Sequence, residues 1–268
     1  MARVKSVVEE VYRAESPEKL RASGIDVFLG STRFLDDHII ETGGETLTGR
    51  RFLIATGARP AIPHISGIDD VDFLTYEPFW NLAKLPRRFI VIGGGPIGCE
   101  MARAFCRLGS NVTLLEAGPR ILPQDEPEAG DLIASRLMDD GVDLRLNAMV
   151  DRLWQNGDTI HVGMDGQELE GDALLVAVGR RPMLDALELD KAGVVYSPSG
   201  IQVNSRMRTN RRQVYATGDC AGGYQFTRYA AWQGFMTVRN AYLPLNEKGV
   251  FDLVPGLPSP IRRWLIPD

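Results

Sequence analysis

A short glycine-rich turn is the segment of this sequence with the clearest chemical meaning. Three glycines in G-x-G-x-x-G spacing follow an apolar run at 89–92, and a helical pattern begins within the same turn. Such glycines permit a tight turn off a strand, close approach of a pyrophosphate, and close packing of the helix on the strand. The helix N-terminus then offers free amides to the phosphates. We predict a dinucleotide site formed by Gly93, Gly95, Pro96, Ile97 and Gly98.

An acidic residue follows at the distance that such a site requires. The strand-like run 111–116 ends at Glu116, which lies 18 residues beyond Gly98. A carboxylate there accepts hydrogen bonds from the ribose hydroxyls of the adenine nucleotide. Its charge repels the additional phosphate of NADP, so we predict a preference for NAD(H), although Arg120 could accommodate that phosphate. The alternative is a purely structural turn followed by a charged strand end.

The elements around the turn indicate an α/β fold. Between residues 88 and 147 the pattern alternates strand, helix, strand, helix and strand, which is typical of parallel βαβ units. Short strands precede and follow this region, with turn signals at Asn156-Gly157 and Asp165-Gly166. We therefore predict a Rossmann-type domain inserted in a second domain that its flanking segments form together.

Composition excludes several classes of function. The chain has 268 residues, a formal net charge of −5 and a sequence pI of about 5.4. A mildly acidic protein has no general attraction for phosphate backbones, so we expect no nucleic-acid partner. The sequence contains neither an apolar run long enough for a membrane span nor a signal-peptide core, so we expect no membrane association. Three cysteines are too few for a disulfide framework and fit a reducing cytoplasm.

Four ordered segments bear on the family: ATGARP at 55–60, IVIGGGPIGCE at 90–100, LLVAVGRRP at 174–182 and VYATGDCAG at 214–222. In this order they resemble the class I, FAD-dependent pyridine nucleotide-disulfide oxidoreductases. The segment YQFTRYAAWQG at 224–234 is most similar to the branch of mercuric reductase and dihydrolipoyl dehydrogenase. The resemblance implies a FAD/NAD(P)-binding fold, in which an NAD-binding Rossmann domain is inserted in a FAD-binding domain.

The resemblance also implies further cofactor contacts. Gly218 and Asp219 match the second flavin motif, in which the aspartate binds the ribityl chain of FAD. The alternative for Asp219 is a helix-capping turn, which is a common place for aspartate. Thr56 and Gly57 match a strand-end turn near the flavin, and Gly179 matches the turn that closes the NAD domain.

The domain boundaries follow from the same resemblance. We predict a first FAD-binding segment at 1–84, an NAD-binding domain at 85–178, a second FAD-binding segment at 179–255 and an aberrant, frame-shifted tail at 256–268. Within the NAD domain, Glu100 matches a helical acid that lies near the flavin and pairs with a lysine of the FAD domain. An equal alternative for Glu100 is a solvated helix charge.

The sequence departs from the family pattern at the redox centre. No second G-x-G-x-x-G precedes Arg51, and no C-x-x-x-x-C pair is present, because Cys99 and Cys106 are separated by six residues. We therefore expect a fragment of a longer protein, with no catalytic residue, weak FAD binding of its own and no dimerisation domain, although the family forms homodimers. We expect no metal site, because no histidine has a paired acid at a telling spacing: His38, His64 and His161.

Two classes of function remain. One is a flavoenzyme that passes hydride from NAD(P)H to FAD and on to a disulfide, in the manner of mercuric reductase or dihydrolipoyl dehydrogenase. The alternative is a non-catalytic NAD-binding module, or one piece of a split flavoenzyme. In both classes the expected small-molecule partner is NAD(H), and FAD is the second cofactor that the resemblance implies.

Overall fold

The computed structural model of the chain describes residues 2–14 and 16–243. Its α-helices are α1 (Ala2–Ala14), α2 (Pro17–Ala22), α3 (Pro96–Arg107), α4 (Pro127–Asp139) and α5 (Thr227–Tyr242). Its strands are β1 (Thr32–Phe34), β2 (Ile39–Thr42), β3 (Glu45–Thr48), β4 (Phe52–Ile54), β5 (Ala58–Pro60), β6 (Arg88–Ile92), β7 (Asn111–Leu115), β8 (Asp143–Arg145), β9 (Val150–Asn156), β10 (Thr159–Met164), β11 (Gln167–Gly171), β12 (Ala173–Val176), β13 (Arg180–Pro182), β14 (Tyr196–Ser197), β15 (Gly200–Ile201) and β16 (Val214–Ala216). Short 3-10 helices lie at Ile68–Asp70, Pro78–Asn81 and Gly218–Ala221. The predicted tail at 256–268 lies outside the described residues.

The described chain divides into two compact units. The first unit contains residues 2–9 and 60–179, and the second contains residues 10–14, 16–59 and 180–243. These units are defined by packing and not by cofactor binding. The predicted division into an NAD-binding domain at 85–178 between two FAD-binding segments therefore stays a prediction. No helix in the described part of the chain combines the length and apolar character that a bilayer crossing requires.

A parallel sheet forms the centre of the first unit, with the strand order β12-β6-β7-β8. Strand β6 pairs in parallel with β12 on one side and with β7 on the other, so the prediction of a parallel sheet is confirmed. Side chains alternate across β6 because successive residues of a strand point to opposite faces. Phe89 and Val91 pack in one buried cluster with residues of α3 and α4, whereas Ile90 and Ile92 pack in a second cluster with β9 and β10.

Covering layers account for the apolar character of this sheet. The helical layer meets one face, and the antiparallel sheet β11-β10-β9 meets the other. Parallel sheets are normally buried on both faces, so their strands are continuous apolar runs like 89–92. The C-terminal ends of β6 and β7 remain at the edge of the sheet, where the glycine turn follows.

The second unit is built from smaller sheets. Strands β4 and β16 form a parallel pair in which Ile54 is opposite Ala216, and β1, β2 and β3 form an antiparallel sheet. Two further pairs are β5 with β13 and β14 with β15. One buried cluster joins β1, β4, β15 and β16 and contains Phe34, Ile54, Leu189, Val214 and Cys220. As a result, the C-terminal ends of β4 and β16 lie side by side.

Candidate functional site

The glycine turn joins β6 to α3 and is constrained by its own packing. Gly93 adopts a φ of +111°, and a Cβ atom there would lie 2.5 Å from the carbonyl oxygen of Ala177. A Cβ atom at Gly98 would lie 1.9 Å from the carbonyl oxygen of Gly93. Both contacts are too short for any side chain. The protein's own backbone therefore requires these two glycines, with or without a ligand.

Gly95 lies in the same turn under different conditions. Its φ of −73° is available to any residue, and a Cβ atom there would meet nothing in the described chain within 4 Å. Gly95 is the N-cap of α3, and no described side chain caps that helix end. Pro96 occupies the first helical position, where its missing N–H is not needed, and Ile97 follows it. The first turn of α3 therefore presents uncapped backbone beside open space.

Glu116 lies directly after β7, at the edge of the glycine turn. Its Oε2 accepts a hydrogen bond of 2.6 Å from the amide of Gly94, and its Oε1 accepts one of 2.7 Å from the amide of Gly118. These two amides fix the orientation of the carboxylate. The structure thus brings together the predicted acid and the predicted glycine turn, although the sequence did not reveal the two amide bonds.

Arg120 lies in the loop that follows Glu116. Its guanidinium donates hydrogen bonds of 3.0 Å to the carbonyl oxygen of Asp125 and 2.7 Å to that of Pro123. Both acceptors belong to the same loop, so the arginine stabilises the loop conformation. Two of its nitrogens are therefore already engaged by backbone.

The two cysteines of α3 both have thiols whose pKa is raised. Burial raises the pKa of the Cys99 thiol to about 12, with smaller contributions from the charges of Glu116 and Glu100. Burial also raises the pKa of the Cys106 thiol, which donates a hydrogen bond to the carbonyl oxygen of Asp140. Because the thiolate is the reactive form of cysteine, the raised pKa values disfavour reaction of both side chains at neutral pH.

Glu100 is a half-buried acid on the same helix. Burial raises the pKa of its carboxyl group above the ordinary value. No hydrogen-bond donor or cation is found for this carboxylate among the residues that the structure describes. Burying a carboxylate without a partner costs folding free energy, so the stability of the fold does not explain why an acid stands at position 100.

Two strand-end turns meet in the second unit. The amide of Thr217 donates a hydrogen bond of 3.0 Å to the carbonyl oxygen of Ile54, which places the turn after β16 beside the turn after β4. Thr56 and Gly57 belong to the latter turn, and Gly57 has a φ of +69°. The Thr217 hydroxyl is buried and has no hydrogen-bond partner in the described chain. A polar ligand at the end of these parallel strands would supply the hydrogen bond that this buried hydroxyl lacks.

Asp219 already has a partner in this unit. Its Oδ2 accepts a hydrogen bond of 2.8 Å from Arg180 Nη1, and only 14% of its side chain is exposed. The same guanidinium also donates to the carbonyl oxygen of Gln225. The amide of Gly218 donates a hydrogen bond of 2.9 Å to Gln233 Oε1. The predicted flavin motif is therefore a closed polar network, which the sequence analysis did not anticipate.

Gly179 belongs to the first unit. Its φ is +133°, and its carbonyl oxygen accepts a hydrogen bond of 2.9 Å from the amide of Ala61. The predicted site residues thus form two groups. One group surrounds the glycine turn and Glu116, and the other surrounds the paired ends of β4 and β16.

The prediction that His161 lacks a paired acid is wrong. The Nδ1 atom of His161 lies 2.7 Å from Glu168 Oε1, across the hairpin of β10 and β11. The turn signal at Asp165-Gly166 could have revealed this pair. Both turn residues have positive φ, as a two-residue hairpin loop requires, and this loop fixes which residues face each other.

A sequence model of the family described as pyridine nucleotide-disulphide oxidoreductase matches residues 3–234. A mercuric reductase of Bacillus cereus is 37% identical over 239 residues, which cover 87% of this chain and 38% of that protein. A dihydrolipoyl dehydrogenase of Bacillus subtilis is 34% identical over 241 residues, which cover 86% of this chain and 52% of that protein.

Solved structures give the same result for the fold. The Cu(II) complex of the HOCl-induced flavoprotein disulfide reductase RclA from Escherichia coli matches with a TM-score of 0.78 and 34% identity, over 84% of this chain and 52% of that one. The chain spans about half the length of the relatives that it matches. The predicted α/β fold of the FAD/NAD(P)-binding type is confirmed.

Proposed function

Because the chain belongs to the pyridine nucleotide-disulphide oxidoreductase family, we propose that it binds NAD(H) at the glycine turn and forms part of a flavin site. The family acts with FAD and NAD(P)H. In the whole protein, hydride would pass from NAD(P)H to FAD and on to a disulfide, in a mercuric reductase-like or dihydrolipoyl dehydrogenase-like reaction. The cofactors supply this chemistry when bound, and the residues of the chain hold and orient them.

The contrast between Gly95 and its neighbours carries the proposal. The backbone itself requires glycine at positions 93 and 98, but no described atom requires it at position 95. A pyrophosphate that approaches this backbone closely would require the absence of a side chain there. The uncapped N-terminus of α3 adds a positive partial charge and free amides directed at the same space.

The preference for NAD(H) over NADP(H) is the finer part of the proposal. Glu116 is held at the turn by two amides, so its negative charge is fixed where a ribose would approach. A 2′-phosphate would meet that charge without compensation, because two nitrogens of Arg120 already bind backbone carbonyls. Each carboxylate oxygen can accept more than one hydrogen bond, so Glu116 would accept hydrogen bonds from the ribose hydroxyls alongside those from Gly94 and Gly118.

The flavin part of the proposal is supported by the second unit. The unpartnered hydroxyl of Thr217 fits a polar ligand at the paired strand ends. Asp219 Oδ2 accepts a hydrogen bond from Arg180, and the other carboxylate oxygen would accept one from a hydroxyl of the ribityl chain. Thr56, Gly57 and Gly218 would shape the backbone around it, whereas Gly179 of the first unit would form the turn that closes the NAD domain.

A non-catalytic role for the chain by itself is the second candidate. The raised pKa values of Cys99 and Cys106, both caused first by burial, keep these thiols protonated at neutral pH. Disulfide exchange requires a thiolate, so these residues would not perform it. In this alternative the chain is an NAD-binding module, or one piece of a split flavoenzyme.

Replacing Gly95 with alanine tests the dinucleotide site. We expect the affinity for NADH to fall about tenfold or more, because the new methyl group would occupy the approach to the backbone. A tenfold fall corresponds to a loss of about 1.4 kcal/mol in binding free energy. The melting temperature should fall only slightly, because the methyl group meets no protein atom and alanine is merely a poorer N-cap residue than glycine. Gly234→Ala is the matched control, because a Cβ atom there also meets nothing within 4 Å. NADH binding by Gly95→Ala at wild-type affinity would refute the site.

Replacing Glu116 with alanine tests the cofactor preference. We expect Glu116→Ala to bring the affinities for NADH and NADPH closer together, because the repelling charge is removed. Glu116→Arg should reverse the preference, because the charge is inverted. Both dissociation constants are measured by calorimetry on the same preparations. Equal affinity of the wild-type chain for the two cofactors would contradict the role of Glu116. An absorbance spectrum after mixing with FAD and gel filtration then tests the flavin part separately.

A further inference from the structure

The hairpin of β10 and β11 gathers three metal-binding side chains on one face of the antiparallel sheet. His161 lies directly opposite Glu170 in the register of the two strands. Glu168 is two residues before Glu170, so its side chain points to the same face. One ligand atom from each of the three residues lies within 4.8 Å of the other two. Within the described chain, this is the one group of three or more such side chains at that range.

The imidazole of His161 is held in place before any cation binds. Its ring is buried and stacks on Trp154, with ring centroids 5.0 Å apart and an angle of 6° between the planes. Its Nδ1 faces Glu168, and its Nε2 lies 3.4 Å from the side-chain nitrogen of Asn156. A half-turn of the Asn156 amide would present its oxygen to Nε2–H. The second ring nitrogen of a metal-binding histidine usually has such an acceptor.

The two carboxylates are exposed and therefore adjustable. Glu170 Oε2 is bonded to Arg88 at 2.8 Å, which leaves its other oxygen for a further ligand. In a tetrahedral zinc site the donor atoms lie roughly 3.3 Å apart, as follows from zinc–ligand distances of about 2.0–2.2 Å. Rotation of the two glutamates would bring the three donors to that separation without moving the buried ring.

From these observations the geometry points to a site for a divalent first-row cation such as Zn²⁺, formed by His161 Nδ1, Glu168 and Glu170. One imidazole and two carboxylates are borderline ligands that such cations accept, with water completing the coordination. This site was not expected from the sequence, because it depends on the register of the hairpin. It does not rest on the proposed dinucleotide function.

Calorimetric titration of the full chain with ZnCl₂, in a non-chelating buffer with a thiol-free reductant, tests the site. We expect one zinc ion per chain and a raised melting temperature in the presence of zinc. Glu168→Gln and Glu170→Gln should each weaken binding about tenfold or more, because each removes a charged ligand. Glu45→Gln is the matched control, since Glu45 is an exposed acid on strand β3. It should bind zinc as the wild type does.

Glu168 and Glu170 are exposed, so we expect both variants to fold. The test therefore avoids replacing His161, which would also disturb the stacked Trp154. Absence of zinc binding up to about 1 mM would overturn the proposal. A dissociation constant of about 1 mM corresponds to a binding free energy of only about 4 kcal/mol. Zinc binding that is unchanged in Glu168→Gln and Glu170→Gln would also overturn it, since the ion would then be held elsewhere.

Discussion

The turns at the strand ends of the two units differ in how their polar groups are used. In the first unit, the N-terminus of α3 is uncapped and Gly95 faces open space. In the second unit, Asp219 is paired with Arg180, and the amide of Gly218 is bonded to Gln233. One turn is therefore open to a ligand without rearrangement, whereas the other already satisfies most of its own polar groups.

Sheet construction follows the same division. The first unit has four parallel strands whose two faces are covered, with Val91 fully buried. The parallel pair of the second unit leaves Leu53 at 41% exposure, and Phe235 of α5 is 67% exposed. Parallel strands normally require cover on both faces. The parallel sheet of the first unit is therefore covered on both faces, whereas we expect the second unit to depend more on pairs such as Arg180 with Asp219.

The largest expected effect concerns the backbone of the first unit. Gly98→Ala would place a Cβ atom 1.9 Å from the carbonyl oxygen of Gly93, which the turn cannot accommodate. We expect a loss of at least about 3 kcal/mol in the free energy of unfolding. Urea denaturation of this variant beside Gly95→Ala measures the contrast. Equal stability of the two variants would break the distinction between packing and ligand-binding glycines.

An intermediate effect is expected in the second unit. Arg180→Gln removes one partner of an ion pair that is largely buried, and we expect a loss of about 1–2 kcal/mol in the local stability of this unit. Arg181→Gln is the matched control, because its pair with Asp185 is more than half exposed and should contribute less than about 0.5 kcal/mol. Hydrogen exchange of peptides from residues 180–243 distinguishes the two. Similar exchange in both variants would remove the support for a closed polar network.

The sequence predicts the glycine turn, the parallel sheet and Glu116 well, because these features depend on local order along one βαβ segment. The pair of Arg180 and Asp219 was not predicted, since its members are 39 residues apart and meet only through the packing of the second unit. The partners of Glu116 are backbone amides, which carry no signature in the sequence. His161 with Glu168 lies between these cases, because the Asp165-Gly166 turn fixes the hairpin register.

The smallest expected effect is a gain in stability when Glu100 is replaced with glutamine. This variant sharpens the contrast between polar groups that have partners and those that have none in the described chain. Burial raises the pKa of this carboxyl group, so the folded state binds its proton more tightly than the unfolded state does. Linkage then requires that stability decreases as the pH rises from the ordinary value of 4.5 through the raised value. Glu100→Gln removes the buried charge, and we expect a higher melting temperature than that of the wild type at pH 7.

The difference should disappear below about pH 4, where the wild-type carboxyl group is protonated in both states. Glu128→Gln is the control, because Glu128 is an exposed acid in the first turn of α4 and should show no such gain. A lower melting temperature for Glu100→Gln at pH 7 would mean that a cation already stabilises this carboxylate. The predicted partner is a lysine of the FAD domain, so a gain in stability would support the prediction that Glu100 is held for a partner outside the described residues.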